Sequence, residues 1–180
     1  AINDDSLHDT RVRTVAQDAS MFLRFDSTQY DLIVADLPDP SNEAVARLYS
    51  THFFRMVKAR LAASGLFATQ AGSPFHTRQA YWCIFESLRQ SGFRFVLPYH
   101  IYVPAFGEWG FAMAADRPFQ SPQLPPVSTH YLEADRLQHH FEFAPDIAEP
   151  ESVQPNTLDQ PVLLDYYLKE WNSWRKEKIH

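Results

Sequence analysis

An α/β fold with a largely parallel sheet is what this sequence predicts, and three observations predict it. The stretch Tyr30–Pro40, YDLIVADLPDP, holds a short apolar run, Leu32-Ile33-Val34-Ala35, bounded by turn residues. That is the pattern of a strand buried within a parallel sheet. Strand-like and helix-like segments alternate on either side of it, as in chains that cross over between parallel strands. Near residue 100 two extended segments flank a turn at Pro104–Gly107 and close the sheet with an antiparallel hairpin.

In chain order, residues 1–10 are polar, with Asn3, Asp4, Asp5 and Asp9, and read as a loop. Val12–Ala16 reads as a short strand. Asp18 is placed to cap a helix over Ala19–Phe25, in which Met21, Phe22 and Phe25 share a face. Ligand contact is the alternative role for Asp18. After the YDLIVADLPDP strand, Ser41-Asn42-Glu43 opens a helix whose apolar face runs through Arg60, and Ser64-Gly65 closes it as a C-cap. Leu66–Ala71 is the next strand. Its turn, Gly72-Ser73-Pro74, sets Gln70 and Ser73 on the same rim as Asp36. A helix over Thr77–Gln90 turns Tyr81, Ile84, Phe85 and Leu88 inward. Arg94–Leu97 and Tyr99–Val103 are extended, with Pro98 interrupting them, and Trp109–Ala114 is the return strand.

Composition changes after Asp116, which divides the chain into a body, 1–116, and a tail, 117–180. Pro118, Pro122, Pro125 and Pro126 mark an extended connector. A short helical patch over 129–144 carries Leu132, Leu137 and Phe141. Asp159 and Pro161 start a last helix with a wide stripe of Val162, Leu163, Tyr166, Tyr167, Trp171 and Trp174, ahead of a basic end. The stripe reads as core or subunit interface.

The 180 residues are 45% hydrophobic, enough for a globular core. A net charge of −6 and a pI near 5.7 leave no basic stripe for nucleic acid. The acidic balance suits a cationic small molecule and an ordinary soluble protein alike. The lone Cys83 forms no internal disulfide and reads as a core residue. No apolar run has the length of a membrane span, and no signal peptide is visible. The five glycines form no GxG, so the usual phosphate- or cofactor-cradling loop is not in this chain. None of the eight histidines has a metal-ligand spacing, and Ser73 lacks a nucleophile elbow.

Asp36 and Asp39 are the pair with chemistry to offer. Asp36 falls at the carboxyl end of a strand, where ligands bind in open α/β sheets. Pro38 and Pro40 stiffen the turn that carries both acids. One reading is structural, with Asp36 capping the turn and Asp39 solvated. The other is a cation site: one carboxylate takes the proton that a nucleophilic amine must lose, and the second holds the ammonium in line. Crowding of like charges is expected to raise one of the two pKa values.

The blocks DASMFLRFDSTQYDLIVADLPDP, LYSTHFFRMV, GLFATQAGSP, YWCIFESLRQSGF and PYHIYVPAFGEWGFAMA resemble, in order and spacing over residues 10–115, the polyamine aminopropyltransferases, the spermidine synthase family. The tail blocks FEFAPD and NTLDQPVLLDYY are similar to the bacterial subgroup whose catalytic domain is joined to a membrane segment. The resemblance implies a partial Rossmann-like fold of the S-adenosylmethionine-dependent transferases. It implies transfer of an aminopropyl group from decarboxylated S-adenosylmethionine, a co-substrate, to putrescine, giving spermidine and methylthioadenosine with no metal. Asp36 matches the family's general base, Asp39 the polyamine-holding acid, Gln70 a substrate-channel residue, and Asp18 an acid that contacts the adenine amino group. Phe106 takes the place of a family tyrosine in the turn after Val103-Pro104, without its hydroxyl, for which Tyr102 or Glu108 could compensate.

The family's Gly-rich loop and first two strands would lie upstream of Ala1, between the Val12 and Leu32 strands in space. The isolated chain is therefore expected to be a piece of a longer protein or to pair with another copy, through the open sheet edge or the last helix, and to be inactive alone. The expected location is cytoplasmic, with membrane attachment only through an upstream segment. Two other readings stay open: a methyltransferase, because Pro38-Asp39-Pro40 is similar to the Asp-Pro-Pro-Tyr loop of amino-methylating enzymes, and a non-catalytic assembly module of the same fold.

Overall fold

The structure is a computed structural model and describes residues 6–129 and 132–177. Four strands form one sheet in the order β1-β2-β4-β3: β1 (Tyr30–Ala35), β2 (Leu61–Gly72), β3 (Phe95–Val103) and β4 (Gly107–Ala115). β1 and β2 are parallel, Ile33 opposite Phe67 and Ala35 opposite Thr69. β4 runs antiparallel to both β2 and β3. The closing hairpin is as the sequence predicts, but the sheet is not largely parallel: among the described residues only the β1–β2 ladder is parallel, and β4 makes both other ladders antiparallel.

Helices flank this sheet: α1 (Ala19–Phe25), α2 (Glu43–Ala46), α3 (Thr51–Ala59), α4 (Arg78–Gln90), α5 (Ala134–Leu137) and α6 (Val162–Glu177). α4 is the central packing element. Tyr81, Ile84, Phe85 and Leu88 are all buried on it, meeting Phe54 and Phe67 in the core. Cys83 is buried beside them, and burial pushes its thiol up to about 12.

Several local expectations are corrected. Val12–Ala16 forms no strand. A strand needs a ladder partner, and this segment is separated from β1 by an open groove of about 580 Å³, lined by Arg13 and Val15 on one side and Leu32, Val34 and Asp36 on the other. β1 is consequently an edge strand, with Leu32 54% and Val34 66% exposed, and not the buried central strand that its apolar run suggests. The groove stands where the sequence places two further strands.

The single helix from Ser41 to Arg60 is broken in two. Ser50 accepts the Phe53 N–H and starts α3 afresh, after a 3₁₀ turn at Arg47–Tyr49. Ser64-Gly65 is not a helix C-cap either, since α3 ends at Ala59 and both residues lie within β2. A Cβ on Gly65 would meet the Tyr30 carbonyl at 2.9 Å, so glycine allows the close approach of β1 where its register to β2 shifts. Pro98 does not interrupt β3, because β3 is the other sheet edge and Pro98 needs no outward N–H bond. The 129–144 patch is two short turns, α5 and a 3₁₀ segment at Gln138–Phe141. Asn3, Asp4 and Asp5 of the expected N-terminal loop lie outside the described residues, as does His130.

The tail folds back over the body. Asn156 is buried and makes four ties: its amide donates to the Ala46 carbonyl at 2.8 Å, its N–H to Ser87 Oγ at 2.8 Å, its carbonyl accepts the Thr51 N–H at 2.9 Å, and its Oδ1 accepts from Leu163 N at 3.4 Å. Glu170 of α6 accepts the N–H groups of Gln79 and Ala80 at 2.8 and 3.3 Å. It therefore caps α4, whose own N-cap residue, Thr77, makes no side-chain cap bond. These ties bring the aromatic face of α6 to the carboxyl rim of the sheet.

Candidate active site

β1 ends at Ala35, and the turn Asp36-Leu37-Pro38-Asp39 leaves the rim beside the end of β2. A buried polar network fixes it. The Tyr49 hydroxyl sits 3.2 Å from the Leu37 carbonyl and 3.1 Å from that of Pro38, donating to them. Gln70, near the end of β2, donates its amide to the Leu37 carbonyl and, at 3.0 Å, to the Tyr49 oxygen. The Gln70 carbonyl oxygen accepts from Trp109 Nε1 at 3.1 Å. Tyr49 is wholly buried, and burial, reinforced by the negative charge of Asp39, holds its phenol far above the ordinary range. It remains a neutral donor. A turn otherwise free to swing is thus held through its own carbonyls from two elements.

The two acids of this turn face different spaces. Asp36 is exposed and lines the wide groove beside β1. Asp39 lines a second cavity, of about 320 Å³, with Ser73, His76, Thr77, Phe106, Trp109, Tyr167, Trp171 and Trp174 among its walls. One oxygen of Asp39, Oδ2, accepts the Tyr167 hydroxyl at 3.2 Å. The other, Oδ1, is buried with no hydrogen-bond partner among the described residues. Burial raises the Asp39 pKa, and the Tyr167 hydroxyl and the nearby Gln70 amide oppose that rise. The expected like-charge repulsion is not the leading cause. Tyr167 is pushed up to about 12, first by burial and then by the charge of Asp39. A half-buried carboxylate with a spare oxygen in an aromatic cavity is a receptor for a cation.

Of the residues singled out from sequence, Asp39, Gln70 and Phe106 come together here. Phe106 is 60% exposed at the cavity and packs on Trp109 with ring centroids 5.2 Å apart. Asp36 is joined to them through the turn but opens to the other side. Asp18 caps α1, accepting the Met21 N–H at 2.9 Å, and its side chain is not among those lining the groove, although Gln17 and Ala19 are. Glu108 does not steady Asp36: its carboxylate pairs with His100 at 2.7 Å. Tyr102 is largely exposed and does not line the cavity. The hydroxyl that steadies the turn belongs to Tyr49.

The sequence sets Tyr167, Trp171 and Trp174 in a core or interface stripe and does not single out Tyr49. The usable signal is the spacing of the α6 aromatics, i, i+4 and i+7, on one helix face. No group of three or more potential metal ligands occurs among the described residues. Among those residues, no helix is long and apolar enough to cross a membrane.

Comparison with known proteins gives a consistent result. The sequence pattern of the spermine/spermidine synthase domain matches residues 1–121. Polyamine aminopropyltransferase 2 of Ralstonia nicotianae is 38% identical over 174 residues, covering 96% of this chain and 34% of that protein. The polyamine aminopropyltransferase of Leptospira interrogans is 36% identical over 171 residues, covering 95% and 34%. The chain thus spans about a third of the length of these relatives. Among solved structures, the spermidine synthase of Thermotoga maritima superposes with a TM-score of 0.52 at 14% identity, over 96% of this chain and 54% of that one. A spermidine synthase in complex with the transition-state analogue AdoDATO gives 0.53 at 16%, over 96% and 55%. At such identities the likeness establishes the Rossmann-like fold alone.

Proposed function

We propose, from the premise that this chain belongs to the spermine/spermidine synthase domain family, that it carries the amine-acceptor part of an aminopropyltransferase site. The observation that carries the reading is the division of the two acids: Asp36 opens to the wide groove and Asp39 to the aromatic cavity, on one braced turn. A diamine with its distal ammonium at Asp39 has its other nitrogen directed along the turn toward Asp36. That nitrogen attacks the aminopropyl carbon of decarboxylated S-adenosylmethionine. The C–N bond forms as the C–S bond breaks, and sulfur keeps the electron pair as a neutral thioether. The proton released from nitrogen passes to the Asp36 carboxylate. With putrescine as acceptor the products are spermidine and methylthioadenosine.

Nucleophile and electrophile are both cations before reaction, so their approach is repulsive. Asp36 and Asp39 offset this repulsion and fix the line of attack. Gln70 has no proton to exchange in this scheme; it positions the turn. Asp18 is proposed as a contact for the adenine amino group at the far end of the groove, in addition to its capping role. Pairing with a second copy through β1 or α6 is likewise a proposal, supported by the exposed Leu32 and Val34 edge, and so is a cytoplasmic site of action. The 1–116 and 117–180 division is proposed as evolutionary rather than physical, since the tail is tied into the body at Asn156 and Glu170.

The test supplies the remainder of the enzyme. Residues 1–180 replace the corresponding third of the Ralstonia nicotianae relative, and aminopropyl transfer to putrescine is measured. The chimera is expected to turn over, and Asp36→Asn to lower kcat by about 10²–10⁴-fold, the usual worth of a general base. A folded, active chimera that is indifferent to Asp36→Asn would sink the assignment.

A further inference from the structure

We propose that the last helix sets the length of the acceptor: Tyr167, Trp171 and Trp174 of α6 hold an α,ω-diamine against Asp39 and turn away a longer triamine. This deepens the amine-acceptor reading and rests on it. Three observations support it. Asp39 is the only acidic residue among those described as lining the 320 Å³ cavity. Its Oδ1 is buried and unpartnered among the described residues, while Oδ2 is engaged by Tyr167. There is therefore one anionic acceptor, and it is matched to one ammonium.

Beyond that point the wall is aromatic. Tyr167 and Trp171 lie nearly parallel, 9° apart with centroids at 6.1 Å, and Trp171 and Trp174 stack at 27° and 5.6 Å. Trp174 meets the His76 ring at 4.4 Å, which joins the end of α6 to the turn before α4. Methylenes lie well on such faces, and an ammonium near them is attracted by the ring quadrupoles. A triamine carries a further charge one aminopropyl unit along. In this cavity that charge meets indole walls and no second carboxylate, so it is desolvated without a counter-ion.

The wall-forming helix also lies outside residues 1–121, the part that matches the family domain. Acceptor length is thus set by a segment that can vary while the acids on the turn stay fixed.

Isothermal titration of the 180-residue chain with 1,4-diaminobutane, and with the linear triamine one aminopropyl group longer, is the test. The wild-type chain is expected to prefer the diamine. Trp171→Ala and Trp174→Ala are expected to shrink that preference by about 5- to 10-fold, the scale of one lost cation–aromatic contact. Trp174→Leu, which keeps an apolar contact to His76, serves if the alanine variant fails to fold; it is expected to shrink the preference in the same direction. If these variants keep the wild-type preference while Asp39→Asn weakens diamine binding by about 10- to 100-fold, the length-setting role is overturned and the acceptor reading survives. If the wild-type chain binds neither amine at millimolar concentration, both are overturned.

Discussion

Asp39→Asn separates what this carboxylate does for binding from what it costs the fold. In the free chain Oδ1 is buried without a partner, and burial raises the pKa. An unsatisfied buried acceptor costs about 1–3 kcal/mol, and the charge adds to that. The side chain as a whole is only half-buried, so solvent screening brings the figure to the lower end, about 1 kcal/mol. Asparagine removes the charge and keeps an oxygen for the Tyr167 hydroxyl. The variant is therefore expected to match or exceed wild-type stability at pH 7, by up to about 3 °C in Tm for a chain of this size. The pH dependence has a definite sign. A carboxyl whose folded pKa lies above its unfolded value destabilises the folded state progressively as pH rises from the unfolded value, near 3.9, through the folded one. Below pH 3.9 the contribution vanishes. The Tm gap between variant and wild type should thus open between acid and neutral pH, then stay level. Diamine binding should fall at the same time by about 10- to 100-fold, the worth of a charge-assisted hydrogen bond. Differential scanning calorimetry across pH and isothermal titration at pH 7 read the two halves. A variant that loses more than about 2 kcal/mol at pH 7 while binding the diamine normally would refute the reasoning, because Asp39 would then be a structural residue.

Three further outcomes follow from packing around the site. Tyr49→Phe removes the hydroxyl shared by Leu37, Pro38 and Gln70 and should cost about 1–2 kcal/mol in urea unfolding, with a larger proportional loss in kcat than in KM for the chimera because the base is no longer held in line. Asn156→Ala orphans the Ala46 carbonyl and the Leu163 N–H; about 2–3 kcal/mol lost, with weaker diamine binding as α6 loosens, is expected from the same titrations. Gly110→Ala places a methyl into the fully buried Tyr81 ring and should destabilise by about 3 kcal/mol or prevent soluble expression, read by thermal melts.

The sheet and its helices were legible wherever a single local signal decided the matter. Tyr81, Ile84, Phe85 and Leu88 repeat at helical spacing, and the Pro104–Gly107 turn sits between two extended runs, so α4 and the hairpin follow from sequence. Where a competing local bond intervened, the reading failed. Ser50 offered its oxygen to Phe53 and split an apparently continuous apolar face. Val12–Ala16 had strand composition but no partner, and strand character is a property of pairs. In the candidate site, Asp36, Asp39 and Gln70 are legible because they lie near or just beyond the carboxyl ends of strands. Tyr49, Tyr167, Trp171 and Trp174 were not, because an aromatic helix face looks the same whether it covers core or cavity. Only the return of the tail, decided by Asn156 and Glu170 across 90 to 110 residues, tells the two apart.

That return also explains why the two acids can differ although only two residues separate them. Both sit on one turn, and Tyr49 and Gln70 brace it chiefly through main-chain carbonyls, although the Gln70 amide also favours the charged form of Asp39. Each carboxylate is therefore left to its own surroundings. Asp36 faces the wide, open groove, where the proposed base would exchange its proton with solvent. Asp39 is covered by α6; on the proposed reading a cation would exchange its hydration there for a carboxylate and aromatic faces. On the proposed reading, bracing the backbone lets α6 change which amine is held without moving the proposed base, Asp36. The same logic predicts that substitutions at Trp171 and Trp174 act on KM and acceptor preference, whereas substitutions at Tyr49 and Gln70 act on kcat, and a chimera in which both sets shift kcat alike would show that the turn is not the rigid divider inferred from its hydrogen bonds.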